Sequence, residues 1–167
     1  MAVCPIIYDF GKGTPHHRLS NFYWPCPVTV TFTLPGPRTV TETYPASEHA
    51  YQAFKTLDDG ERRAFQDPGL TPGRAKRMGR AVTLRPDWLI IQVPTMLDIV
   101  RAKFGAPEMR QFLLGTAPLM LMEGNYWHDM FWGVCFCKEH QGGGLNKLGK
   151  VLMAARHEFQ AAPPETH

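Results

Sequence analysis

Glycine and proline contribute 15 residues each to a chain of 167, with no fixed period and no tract. Proline removes a backbone donor and glycine loosens the chain, so many of these positions belong to irregular segments. The pattern argues against collagen and stacked-repeat architectures and predicts long, shaped loops. Hydrophobic residues reach 44% and charged residues 20%, enough apolar material for a core and too little charge for a disordered chain. At 18.9 kDa the expectation is one domain over residues 1–160 with a frayed tail, 161–167.

Two periodicities organise the chain. Val28–Leu34 alternates Val28, Val30, Phe32 and Leu34 against threonines, the two-residue period of a half-buried strand. Pro35-Gly36-Pro37 turns the chain and Arg38–Thr43 resumes the pattern, predicting a hairpin. Ile6–Phe10, Leu119–Glu123 and Phe131–Phe136 read as further short strands. Helices are predicted over Glu48–Leu57, Glu61–Gln66, Pro72–Arg80, Asp87–Phe104 (where Pro94 either bends the helix or marks a late start) and Glu108–Leu114. A last helix follows Gly142-Gly143-Gly144, with Leu145, Leu148, Leu152, Ala155 and Phe159 as its core stripe. The fold class is therefore α+β and mainly α-helical, with one small hairpin and a few extra strands.

Several function classes fall away. No strand runs into Gly-x-Gly-x-x-Gly, no phosphate loop of the Gly-Lys-Ser/Thr type exists, and no Gly-x-Ser-x-Gly marks a hydrolase serine. No apolar run approaches the ~18 residues of a membrane span, and residues 1–10 lack a signal-peptide pattern. A cytoplasmic chain without membrane contact is expected, its Cys4, Cys26, Cys135 and Cys137 reduced and serving as small apolar residues. Cys135-x-Cys137 is not paired with a Cys-x-x-Cys, and no metal or other cofactor is expected. The net charge of +3 is mild, but Arg62, Arg63, Arg74, Lys76, Arg77 and Arg80 crowd segment 61–80 against only Glu61 and Asp67. This is either a solvated helix face or a surface for phosphate and nucleic acid. The glycines at 142–144 are either an anion seat at a helix start or a flexible lead-in.

Three segments hold polar residues that ordinary packing does not call for. Arg18-Leu19-Ser20-Asn21-Phe22-Tyr23-Trp24 suits a planar ring beside a phosphate or sugar, or is a loop pinned by its own aromatics. In Tyr44–Lys55, Glu48 stands in a helical first turn, where it serves either a cationic transition state or helix capping. Glu123–Gly133 sets His128 beside Asp129, although neighbours on a strand point apart.

These segments resemble the NADAR, or YbiA-like, family. The resemblance runs from about Ile6 to Arg156 through Leu19-Ser20-Asn21-Phe22-Tyr23, Tyr44-Pro45-x-Ser47-Glu48-His49-Ala50-Tyr51-Gln52-Ala53-x-Lys55 and Gly73-Arg74-x-Lys76-x-x-Gly79-Arg80. It continues through Trp88, Met96, Lys103-Phe104, Glu123, Asp129, Trp132-Gly133 and Gly144-x-Asn146-x-Leu148-Gly149-x-x-Leu152-Met153-x-x-Arg156. Val134-Cys135-Phe136-Cys137 departs from the glycine-containing stretch of many members.

The resemblance implies an N-glycosidase that cleaves the bond between ribose C1 and a base-type nitrogen. Its substrate is either ADP-ribose on the guanine amino group in nucleic acid or a phosphoribosylamino-pyrimidine of riboflavin synthesis. The Asn125–Asp129 loop looks closer to the members associated with ADP-ribosylated guanine. It further implies Glu48, Lys55, Lys76 and Asp129 as catalytic residues. Substrate contacts are implied for Arg18, Ser20, Asn21, Phe22, Tyr51, Arg80, Trp88, Glu123, Trp132, Gly133 and Asn146. Two routes fit: Glu48 assists direct hydrolysis, or Lys55 or Lys76 captures C1 as a Schiff base. A non-catalytic reader of ADP-ribose or modified nucleic acid is the rival class.

Overall fold

The computed structural model describes residues 5–36 and 38–162. Cys4, Pro37 and the predicted tail beyond residue 162 lie outside them. Six short strands and six α-helices follow in the order β1 (Ile6–Ile7), β2 (Val28–Leu34), β3 (Arg38–Tyr44), α1 (Ser47–Ala53), α2 (Asp59–Arg63), α3 (Pro72–Met78), α4 (Trp88–Gly105), α5 (Pro107–Leu114), β4 (Met120–Leu121), β5 (Gly124–Asn125), β6 (Val134–Cys135) and α6 (Lys147–Ala161). The chain is α+β and mainly helical, as its periodicities require. It divides into two compact units, one from residues up to Ser20 with those from Phe104 onwards, the other from Asn21–Lys103.

In the Asn21–Lys103 unit, β2 and β3 pair antiparallel from Val28 with Tyr44 to Leu34 with Arg38. The alternation of β2 is strict: Val28, Val30, Phe32 and Leu34 are buried and the threonines between them exposed. On the open face Thr29 meets Thr43 and Thr31 meets Thr41 through hydroxyl pairs at 2.8 and 2.9 Å.

Helix α1 stops at Ala53 rather than Leu57: the Lys55 and Thr56 N–H groups tighten onto Gln52 and Ala53, and the chain then leaves the helix for a tertiary partner. The Arg85 N–H donates to the Lys55 carbonyl at 2.8 Å, and Thr56 bridges to Leu84. All seven residues of α1 are buried, so Glu48 and Gln52, one turn apart on the same face, form an interior polar face. Within the segment predicted as helix 61–66, α2 ends at Arg63 and a 3-10 turn covers Ala64–Gln66. Helix α4 runs through Pro94 and buries Trp88, Met96, Ile99 and Lys103, with Ile91 half-buried and Leu89 and Ile90 in solvent.

In the other unit, β1 pairs parallel with β4, and β5 parallel with β6. These strands are shorter than the sequence predicts for identifiable reasons. The Asp9 carboxylate accepts the Gly11 N–H at 2.7 Å and turns the chain after β1. The Asp129 carboxylate accepts from the N–H groups of Phe131 and Trp132 at 3.2 and 2.9 Å, which removes both from any ladder. Helix α6 starts at Lys147, so Leu145 is exposed while Leu148, Leu152 and Ala155 fill the core. Its opening N–H groups are already spent: those of Asn146, Lys147 and Leu148 donate to the carbonyls of Gly133, Phe131 and Trp132. That leaves residues 142–144 neither an anion seat nor a loose lead-in.

Arg62 departs most from its expected place. It is 1% exposed, its Nε donating to Glu42 at 2.8 Å and its Nη2 to Asp59 at 2.6 Å. It therefore ties α2 to β3 instead of joining the basic surface. Removing it leaves the shielded Glu42 carboxylate without its ion-pair partner, and Arg62→Ala is expected to cost about 3–5 kcal/mol. Urea unfolding monitored by tryptophan fluorescence measures this; a loss below about 1 kcal/mol, the range of exposed pairs, contradicts it.

Candidate active site

The chemistry-bearing residues of the Asn21–Lys103 unit converge on α1. The backbone enters this helix from Tyr44-Pro45-Ala46, and the Glu48 N–H donates to the Asn21 carbonyl at 3.2 Å, joining the helix start to the first polar loop. No side chain caps α1, so Glu48 is not its capping residue. The Glu48 Oε1 instead accepts from Gln52 Nε2, one turn on, at 2.7 Å in a buried hydrogen bond. Gln52 is held from behind by Gly79, where any β-carbon would collide with its amide. This close approach requires glycine at position 79.

His49 points elsewhere. Its Nε2 donates to the Leu70 carbonyl at 2.6 Å, and burial pushes its pKa down, so it is a neutral pin between α1 and the loop before α3. The site carboxylate and this structural imidazole are thus sequence neighbours with opposite duties.

Lys55 lies beyond the end of α1 and is half-buried, its Nζ 5.5 Å from the Tyr51 ring centroid. Burial is the main cause that lowers its pKa; the Glu48 charge opposes this and Lys76 and Arg80 add to it. A neutral amine is therefore more accessible here than on an ordinary surface lysine. Lys76 sits over the Phe22 ring at 5.6 Å, and Arg80 is exposed. Asn21 donates from Nδ2 to the Met96 sulfur at 3.4 Å. Tyr51 and Trp88 are both buried and packed on each other, ring centroids 5.1 Å apart at 57°. Glu48, Lys55, Lys76, Arg80, Asn21, Phe22 and Tyr51 therefore belong to one neighbourhood, with Trp88 as packing beneath Tyr51.

The unit made by the two chain ends holds the other expected residues. Arg18 is engaged by Glu108 at 2.8 Å and lies 5.5 Å from the Phe112 ring centroid, and Ser20 follows it at the end of a 3-10 turn. Asn146 adopts a left-handed backbone with φ 49° and braces two strands: its Oδ1 accepts the Glu123 N–H at 3.1 Å and its Nδ2 donates to the Leu121 carbonyl at 2.9 Å. Gly133 packs against the Glu123 carbonyl and the Asn125 side chain, where a β-carbon has no room. Asp129 spends one carboxylate oxygen on the turn into Phe131 and Trp132, whose rings meet edge to face at 5.1 Å. Asn125, given no role from sequence, is 1% exposed and organises this loop by accepting from the Trp127 and Asp129 N–H groups and donating to the Asp129 carbonyl. Its signal was its place inside an aromatic, acidic loop.

Of the basic segment 61–80, Arg63, Arg74, Arg77 and Arg80 are exposed, Lys76 is half-buried and Arg62 is withdrawn into the core. The sequence reading also found no ligand-spaced set for a metal. The structure corrects this: His128, Cys135, Cys137 and His140 bring one donor atom each within 4.8 Å of one another. The missed signal was His-x6-Cys-x-Cys-x2-His within 13 residues, obscured by treating cysteines apart from histidines.

The arrangement in α1 and α3 defines a class. A shielded carboxylate braced by an amide, an amine with a lowered pKa and adjacent cations are the features of a candidate active site. The sequence pattern of the NADAR domain matches residues 9–160, and the chain belongs to the NADAR family. It is similar to N-glycosidase YbiA of Escherichia coli, 38% identical over 158 residues that cover 92% of this chain and 88% of that protein. An N-glycosidase of Nostoc punctiforme is 37% identical, with 92% of each chain covered. A riboflavin biosynthesis protein of Vibrio vulnificus is 36% identical over 95% of this chain, which spans 40% of that protein's length. The NMR structure of E. coli YbiA superposes with a TM-score of 0.76 at 31% identity, covering 100% of this chain and 92% of that one. The enzyme class is hydrolase acting on N-glycosyl compounds. Among the described residues no helix is long and apolar enough to cross a membrane.

Lys103 is quoted within the family pattern without a role, and the structure buries it at 3% exposure with its Nζ 5.8 Å from the Tyr23 ring centroid. Burial lowers its pKa from 10.5 to about 7, with the Cys26 charge opposing. Between these two values the unfolded chain binds more protons at this residue than the folded chain. Its stability contribution therefore rises as pH goes from about 7 towards 10.5. Lys103→Met is expected to be the more stable protein at pH 7, by a margin that shrinks as pH approaches 10. Urea midpoints of both proteins across this range measure it, and a margin that grows with pH overturns the assignment.

Proposed function

We propose that this N-glycosidase removes ADP-ribose from the amino group of guanine in nucleic acid, with Glu48 and Lys55 as its reacting groups. The observation that carries the reading is the grouping of a buried, Gln52-braced Glu48 with a half-buried Lys55 whose pKa is lowered. In the reaction, the sugar ring opens to an imine at C1 and the neutral Lys55 amine adds there. The C1–N bond to guanine breaks as its nitrogen takes up a proton, leaving a lysine imine. Water then adds to that imine, returning free ADP-ribose and the lysine amine. Glu48 is placed to carry the protons of these steps.

Lys76 and Arg80 suit the diphosphate oxygens, and their positive charge favours the neutral Lys55 needed for attack. Phe22 and Tyr51 offer ring faces, and Asn21 a hydrogen bond to a sugar hydroxyl. Nucleic acid is favoured by two surface features, each within its own unit: the exposed Arg63, Arg74, Arg77 and Arg80, and the loop aromatics Tyr126 and Trp127, which are 71% and 63% exposed. Asp129 and Trp132 flank that loop and are assigned to substrate, Asp129 through its second carboxylate oxygen. Glu123 is assigned likewise. Asn146 and Gly133 act by holding the backbone at Glu123, next to β4 and β5.

The second reading is a phosphoribosylamino-pyrimidine of riboflavin synthesis, favoured by the riboflavin biosynthesis names of the Vibrio relative and a maize chloroplast relative. Both substrates present a ribosylated exocyclic amine to the same residues.

The test is single-turnover incubation with guanine-ADP-ribosylated single-stranded DNA, followed by gel mobility and borohydride trapping. Wild type is expected to release the ADP-ribosyl group and yield a trapped adduct on Lys55. Glu48→Gln is expected to slow release by about 10²-fold or more. Activity in Lys55→Ala at the wild-type rate sinks the assignment to Lys55; an adduct then trapped on Lys76 moves the lysine route there, and no adduct on either leaves direct hydrolysis by Glu48. Release from the pyrimidine but not from the DNA selects the second reading, and ligand binding without release from either selects a reader.

A further inference from the structure

We infer that His128, Cys135, Cys137 and His140 form a binding site for a tetrahedral divalent metal ion, with Zn²⁺ the ion their donor set fits. The four residues come from one stretch of the chain, and their donor atoms all lie within 4.8 Å of each other. Three of those atoms form a close triangle: His128 Nδ1 to His140 Nδ1 is 3.2 Å, Cys137 Sγ to His140 Nδ1 is 3.2 Å, and Cys137 Sγ to His128 Nδ1 is 3.7 Å. The edges of a zinc tetrahedron with bonds of 2.0–2.3 Å are about 3.3–3.8 Å long, so the triangle already has the ion's dimensions.

The same ring nitrogen of both histidines faces the other and the sulfur. Three mutual contacts among lone-pair-bearing atoms are poorly served by protons alone, whereas one cation at their centre satisfies all of them. Two thiolates and two neutral imidazoles also balance a divalent charge, which suits a site whose Cys135 is fully buried. Thiolate and imidazole donors in a closed set of four are the pattern of a structural rather than a catalytic zinc.

The backbone is shaped for the purpose. The Cys135 N–H donates to the Gly143 carbonyl and the Gly142 N–H to the Cys135 carbonyl, both at 2.8 Å, while the Gln141 N–H closes a turn onto the Cys137 carbonyl at 2.9 Å. Gln141 and Gly142 take left-handed conformations with φ 45° and 88°, which fold His140 back over the two cysteines. His128 is itself left-handed at φ 67°, and this turn swings its ring toward His140. The side chain of His128 is 58% exposed, giving the ion a path in. Glu139 carboxylate oxygens lie 3.9 Å from His128 Nδ1 and from His140 Nε2, near enough to add negative charge around the site. A bound ion clamps together the two ends of segment 128–140, which contains Asp129, Trp132 and Gly133.

The test uses the full chain without a histidine tag, loaded with Zn²⁺, dialysed and measured by elemental analysis. About one zinc per chain is expected, falling below about a tenth in Cys137→Ser and His140→Ala while the Cys26→Ser control stays loaded. Co²⁺ in place of zinc is expected to give the visible absorption of a tetrahedral thiolate site. If Cys137→Ser does not fold, His128→Ala, altered at an exposed side chain, is expected to change the Co²⁺ spectrum. Wild type retaining less than about a tenth of an equivalent after loading overturns the site. Equal zinc in wild type and the His140→Ala protein does the same, because the ion is then bound elsewhere.

Discussion

Helix α1 carries a carboxylate, an imidazole and an amide into the interior of its unit, where each must find a partner or pay the full cost of desolvation. Glu48 and Gln52 answer to each other across one helical turn, and His49 answers to the Leu70 carbonyl. Only glycine at position 79 leaves room for the Gln52 amide in this position. Past Ala53 the N–H groups of Phe54, Lys55 and Thr56 still bond back to α1 carbonyls, while the Lys55 carbonyl turns outward to accept from Arg85. Lys55 thus follows Tyr51 by one turn, and its amine lies against that ring, where the Glu48 charge acts on it.

Positive charge in this unit is divided between structure and site. Arg62 is buried in ion pairs with Glu42 and Asp59 and stabilises the junction of α2 with β3. Lys76 and Arg80 remain near Lys55 and lower its affinity for a proton. Three cations within twenty residues thus divide between two duties, decided by which of them is enclosed by carboxylates.

The other unit relies on backbone bracing by short side chains. Asp129, Asn125 and Asn146 each bond to main-chain groups of neighbouring strands or turns, which is how two-residue strands are held in register without long ladders. The His2Cys2 cluster lies in the same segment and would supply a bond-strength clamp to a region otherwise held by such contacts. Its two cysteines lie in Val134-Cys135-Phe136-Cys137, the stretch where the sequence departs from the usual family pattern.

The hairpin, the α+β class, the core stripe of α6 and the residues gathered around Glu48 were all legible in the linear sequence. The first three depend on a local period, and the last on motifs from separate elements that the family resemblance sets in one order. The roles of Arg62, Gly133, Asn146 and Trp88 were not legible, because charge, size and aromaticity are the same whether a side chain meets a ligand or a neighbouring strand. The early end of α1 and the shortness of β6 were hidden for a related reason: a distant N–H, that of Arg85, took the Lys55 carbonyl, and the nearby Asp129 carboxylate took the N–H groups of Phe131 and Trp132. The histidine–cysteine cluster shows both limits. Its spacing was present in the sequence, but only left-handed turns at His128, Gln141 and Gly142 make four separate side chains converge on one point. Periodicity and residue type therefore determined the elements and their chemistry, while packing in three dimensions decided which polar groups were consumed by the fold and which remained to act.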